Sequence, residues 1–204
     1  MAERAGEGWR TVTYAGALAA ARSVAAGLIA RGLSAERPLA ILSGNSIDHA
    51  LVALGALYAG VPFCAVSPAY STVSRDFGKL RHVMDLLTPG LVHVDDATAF
   101  APAIAATVPP DVEISAARGS LADRRVTPFA DLLATTPTPA VEAAHAAVGP
   151  DTVAKFLLTS GSTGNPKAVI NTQRMICSNQ VMLRETLAFL KEEPPVIVDW
   201  LPWN

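Results

Sequence analysis

Residues 50–70 carry no charged side chain. A stretch that long must either cross a membrane or lie inside a folded core. Gly60-Val61-Pro62 decides between the two, because this glycine and proline break any helix that runs through them. Residues 46–59 then read as a helix too short to cross a bilayer, and Phe63-Cys64-Ala65-Val66 as a buried strand. A buried helix leading into a buried strand is the repeating unit of a parallel sheet covered on both faces.

The same alternation continues on either side. Residues 14–31 put Leu18, Ala21, Ala25, Leu28 and Ile29 on one helical face, with Gly32 as the stop. Residues 38–42 are a short apolar strand, and Ser43-Gly44-Asn45-Ser46 a turn whose serine caps the next helix. Residues 73–87 align Val73, Phe77, Leu80, Met84 and Leu87 in one stripe, which Pro89-Gly90 ends before a strand at 91–94. Residues 97–106 and 112–115 extend the pattern more weakly, and a short helix is expected near 129–133. Strands at 153–158 and 168–170 follow. Then comes a helix over 172–190, with Met175, Met182 and Leu183 as its core stripe, and a final strand over 195–200. The expected class is α/β, with parallel-rich sheets and helices on both faces. Prolines among alanine and threonine mark 135–150 as a surface linker between an α/β subdomain over 1–134 and a second α/β segment over 151–204.

Composition removes several functions. Sixteen basic side chains face 18 acidic ones, for a net charge of −2, so there is no polybasic surface for nucleic acid or anionic membrane. Glu3, Arg4, Glu7 and Arg10 leave no apolar core for a targeting signal. Cys64 and Cys177 cannot form a disulfide framework and read as core thiols, which points to the cytoplasm. The four histidines have no metal-binding spacing. His93 with Asp95-Asp96 ends a strand, either as a polar cluster facing a site or as a solvated strand end. Trp200, Pro202 and Trp203 could wall a pocket or pack a core, and Asp199 beside them could pair locally.

One segment carries chemistry: Thr159, Ser160, Gly161, Ser162, Thr163, Gly164, Asn165, Pro166 and Lys167, between two apolar strands. Glycines let backbone N–H groups converge on an anion, hydroxyls rotate to donate to phosphate oxygens, and a lysine adds a compact positive charge. This is the chemistry of a phosphate-binding loop. It is not the Walker A loop, which needs glycine before the lysine and serine or threonine after it; Pro166 and Ala168 stand there instead. A plain Ser/Gly-rich surface turn is the competing reading, and the flanking buried strands weigh against it.

The segment from Thr159 to Lys167 resembles the signature loop of the adenylate-forming superfamily, which comprises acyl-CoA synthetases, peptide-synthetase adenylation domains and luciferases. Thr13-Tyr14 with Leu18, and Leu57-Tyr58-Ala59-Gly60-Val61-Pro62, are similar to two earlier stretches of that family. A closer resemblance, to feruloyl-CoA synthases and related hydroxycinnamate:CoA ligases, rests on four stretches: residues 41–46 (ILSGNS), 76–82 (DFGKLRH), 170–175 (INTQRM) and 199–204 (DWLPWN).

The resemblance implies part of the N-terminal domain of an acid-thiol ligase. Such an enzyme adenylates a ferulate-like carboxylic acid with ATP and Mg²⁺ and passes it to CoA, using no nucleic-acid or membrane partner. It implies that Thr159, Ser160, Gly161, Ser162, Thr163, Gly164 and Lys167 hold the β- and γ-phosphates, and it carries no catalytic side chain or metal ligand onto this chain. The family has glycine where Ala168 stands, which matters only if that backbone needs a positive φ. Family members are several hundred residues long, so the expectation is a piece of a synthetase, truncated at both ends and inactive alone. The alternatives are a non-catalytic nucleotide- or phosphate-binding module and a fragment of another adenylating enzyme, such as a fatty acyl-CoA ligase or a peptide-synthetase adenylation domain.

Overall fold

The computed structural model describes residues 1–159, 164–193 and 195–204. The chain opens with an antiparallel hairpin, β1 (Ala2–Ala5) and β2 (Gly8–Thr11). Its pairing has no counterpart in the sequence expectations, because most of its residues are exposed and carry no apolar alternation. Thr13 then caps α1 (Tyr14–Ala30), its hydroxyl accepting from the Gly16 N–H at 3.0 Å. Next come β3 (Leu39–Leu42), α2 (Ile47–Ala59) and β4 (Phe63–Ala65). Ser46 caps α2 as expected, and Gly60 ends it at φ 70°.

The stripe at 73–87 divides in two. A short α3 (Ala69–Thr72) precedes α4 (Gly78–Leu87), and Phe77 between them turns left-handed at φ 53°. The turn closes on side chains: Ser74 Oγ accepts from the Phe77 N–H and Asp76 Oδ1 from the Gly78 N–H. Val73 is therefore left exposed, while Leu80, Met84 and Leu87 are buried.

The chain continues with β5 (Leu91–Asp96), α5 (Ala97–Thr107), β6 (Glu113–Arg118), β7 (Val126–Pro128) and α6 (Phe129–Leu133). Residues 135–150, read from sequence as a linker, contain α7 (Pro139–Ala146). Its Val141 is wholly buried against Ala25 and Ala26 of α1, and His145 stacks on Tyr58 of α2 at 3.9 Å. After it come β8 (Val153–Thr159), β9 (Lys167–Thr172) and α8 (Gln173–Thr186), then a 3₁₀ turn at Ala188–Lys191. Residues 195–200 form no strand.

Seven strands form one sheet in the order β7-β6-β5-β3-β4-β8-β9, parallel except for β9. β8 thus extends the sheet begun by the first 134 residues. On one face α4 and α5 bury Leu80, Val83, Phe100 and Ile104 against Leu42, Val92 and Ile114. On the other, α1, α2 and α6 bury Leu28, Leu51 and Leu132 against Leu39, Ile41 and Leu91. Burial of each such side chain contributes about 1.5–3 kcal/mol. This is the α/β architecture expected from the sequence, a largely parallel sheet with helices on both faces.

α8 differs from its expectation. None of its residues is buried; Met175, Met182 and Leu183 are exposed, Met182 to 59%. The helical period is present, but no element among the described residues covers that stripe. Cys177, on the same helix, is exposed rather than a core thiol, whereas Cys64 is buried.

Candidate phosphate-binding site

Strand β8 runs parallel to β4, pairing at Phe63 and Lys155, so its outgoing loop emerges at the carboxyl end of the sheet. That is the end where open α/β sheets take ligands. β9 returns antiparallel, and Thr159 pairs with Lys167 across the mouth of the hairpin. Phe156, Leu158 and Ala168 turn inward onto the core face shared with α4 and α5, which anchors both strands. Thr159 and Lys167 are exposed. One hydroxyl and one ammonium therefore flank the loop at its two ends, both facing solvent at the ligand end of the sheet.

Of the sequence-predicted loop residues, Ser160, Gly161, Ser162 and Thr163 lie outside the described residues. Gly164 is exposed at φ 88°, in the region that only glycine enters without strain. Pro166 is buried, and its carbonyl accepts from His82 Nε2 of α4 at 3.0 Å. A carbonyl only accepts, so the Nε2 nitrogen carries the proton in this contact. His82 thus fixes the exit of the loop immediately before Lys167. No spacing rule finds this contact, since 84 residues separate the partners. Ala168 lies within β9 opposite Leu158 and is not among the positive-φ residues. Its backbone is extended, so alanine is harmless there.

The remaining candidates are placed elsewhere. His93 is not a solvated strand end. It is wholly buried in β5, its ring centroid 4.9 Å from that of Phe129 and its Nδ1 3.4 Å from Ser115 Oγ. Burial pulls its pKa from 6.5 down to about 4, against a weaker opposing pull from Asp48. Burial also lowers that of His49. The unfolded chain therefore binds more protons between those pH values, and stability falls as pH drops from about 6.5 towards 4. The urea midpoint should be lower at pH 5 than at pH 7, and His93→Leu should flatten that difference. An equal pH dependence in the variant would assign the effect to other groups.

Burial pushes the Cys64 thiol up to about 12, so it is no nucleophile. Asp199 pairs locally, accepting from the Leu201 N–H at 3.0 Å and from the Trp203 indole N–H at 2.6 Å. Trp200 is 79% exposed, and no core among the described residues takes it up. Among the described residues no three His, Cys, Asp or Glu gather to hold a metal ion, and no helix is long and apolar enough to cross a membrane.

Comparison with known proteins bears on the fold and the family. The chain is 29% identical to an indigoidine synthase of Streptomyces lavendulae over 178 residues, 85% of this chain and 12% of that protein. ATP-bound MatB from Rhodopseudomonas palustris matches at 25% identity and a TM-score of 0.64, covering 88% of this chain and 33% of that one. A fatty acyl-adenylate ligase from L. pneumophila, solved with acyl adenylate and pyrophosphate, shares the fold at 19% identity and a TM-score of 0.64, over 92% of this chain and 30% of that one. The chain therefore spans a third or less of the length of each of these proteins. The profile of the AMP-binding enzyme family matches residues 2–202. With nearly every residue inside that match and the architecture of the N-terminal domain of adenylate-forming enzymes, the chain belongs to the AMP-binding enzyme family.

Proposed function

We propose that this chain is the pyrophosphate-handling part of an ATP-dependent acid:CoA ligase acting on a hydroxycinnamate-type acid. The observation that carries the reading is the exposed pair of Thr159 and Lys167 across the mouth of a hairpin at the ligand end of a parallel sheet. In the reaction a carboxylate oxygen attacks the α-phosphorus of ATP, the bond to the bridging oxygen breaks, and pyrophosphate leaves. CoA thiolate then attacks the acyl carbonyl and AMP leaves. Charge builds on the pyrophosphate as it departs. The Lys167 ammonium, the Thr159 hydroxyl and the loop residues Ser160 to Gly164 would stabilise it there. Mg²⁺ would arrive with ATP, as part of the substrate, and no side chain of this chain is assigned to it.

The binding of ATP is supported by the family match and by the ATP-bound relative. The hydroxycinnamate and CoA assignments rest on the motifs at 41–46, 76–82, 170–175 and 199–204. The test is acid-dependent ATP–pyrophosphate exchange by the protein that carries this chain. Ferulate should stimulate exchange more than a medium-chain aliphatic acid does. Stimulation by aliphatic or amino acids alone would overturn the substrate class, and ATP binding without exchange under any acid would leave a phosphate-binding module.

A further inference from the structure

A parallel sheet takes ligands in the crevice between two neighbouring strands whose connections run off in opposite directions along the sheet, over opposite faces. Here those strands are β3 and β5. β3 leads into α2 on one face of the sheet and β5 into α5 on the other. Ser43, Gly44 and Asn45 follow β3 at the mouth of the crevice. His49 comes from the first turn of α2, and Asp95 lies at the end of β5.

The crevice is met by the chain's own far end. Asn45 Nδ2 donates to the Leu201 carbonyl at 2.6 Å, and Asn45 Oδ1 accepts from the Trp203 N–H at 3.1 Å. The Trp203 ring meets His49 edge-on, with centroids 5.2 Å apart and planes at 83°. Both sides are shaped for this contact. Asp199 folds the segment by its two bonds to Leu201 and Trp203. His49 is held by Nδ1, 3.1 Å from the Gly44 carbonyl, and by its backbone N–H, which donates to Ser46 Oγ. A carboxamide supplies one donor and one acceptor in a single plane, which is what a backbone C=O and an N–H two residues apart require. Aspartate in its place, an acceptor only, would leave the Leu201 carbonyl without its donor.

We propose that Asn45 is a positioning residue that docks segment 199–204 across the loop after β3, at the mouth of the crevice between β3 and β5. The proposal is independent of the adenylation reading and stands or falls without any measurement of activity.

The test is backbone amide exchange in the full protein and its Asn45→Ala variant. Asn45 is exposed, so the substitution leaves the core untouched. Loss of two hydrogen bonds should shift the docked-to-free ratio about tenfold, and the Trp203 amide should exchange faster by the same factor. The His49 amide, held by Ser46, should keep its protection. Equal Trp203 exchange in both proteins would overturn the proposal. So would equal acceleration at Trp203 and His49, which would mean that the start of α2 had melted rather than that the segment had undocked.

Discussion

Lys167→Ala should lower the rate of ATP–pyrophosphate exchange by about 10²–10³-fold, the usual loss when one group that stabilises transition-state charge is removed. The substitution isolates this role because the side chain is exposed at the first position of β9. It packs against no core residue, and the hairpin beneath it is held by Phe156, Leu158 and Ala168. Melting temperature should therefore stay within the small range of a surface substitution. The loss should fall on the rate of exchange more than on the KM for ATP, since the charge on pyrophosphate grows as the bond breaks. Lys167→Arg should recover part of the rate by restoring charge, and not all of it, because a planar guanidinium replaces a compact ammonium. An unchanged rate in Lys167→Ala would remove this lysine from the mechanism.

Gly55→Ala should destabilise the fold by about 1–3 kcal/mol, the cost of overpacking a well-filled contact. Helix propensity alone predicts the opposite, because alanine in a helix interior is favoured over glycine by about 1 kcal/mol. Packing decides the sign. Gly55 lies in α2 where that helix crosses α1, and a Cβ there would sit 2.3 Å from Val24 Cγ1 and 2.5 Å from Val24 Cβ. The Ala21 carbonyl, 3.3 Å away, blocks the other side. Val24 is wholly buried and β-branched, so it has no free rotamer into which to withdraw. The helices must separate, which loosens the whole layer of α1, α2 and α6. Thermal unfolding measures this directly: a midpoint equal to or above that of the parent would show that the two helices can part at no cost.

Much of the architecture is legible in the residues. The uncharged run at 50–70, cut by Gly60 and Pro62, becomes a buried helix and strand because no exposed conformation could hold it. Ser46 and Gly60 appear at the ends of α2 as cap chemistry demands. The two strands that flank the loop are legible too, because both are apolar, although their antiparallel pairing is not. Other readings failed for physical reasons. Periodicity carries the stripe of α4 back to Val73, because it does not register the left-handed turn at Phe77. α7 was hidden by its prolines, although Pro139 begins the helix where a missing N–H costs nothing. Met175, Met182 and Leu183 have the period of a core helix, yet period says only that one face is apolar and not what covers it.

The division follows from the range of the forces involved. The sequence alone determined most of the central strands and the helices between them, because each depends on neighbours within a few residues. Only the tertiary structure decided that β8 lies beside β4, which brings the loop to the ligand end of the sheet. It alone brought His82 to Pro166 across 84 residues and Asn45 to Trp203 across 158. Contacts of that separation leave no local pattern. They form when the two core faces pack, and that packing brings together side chains whose sequence positions show no relation.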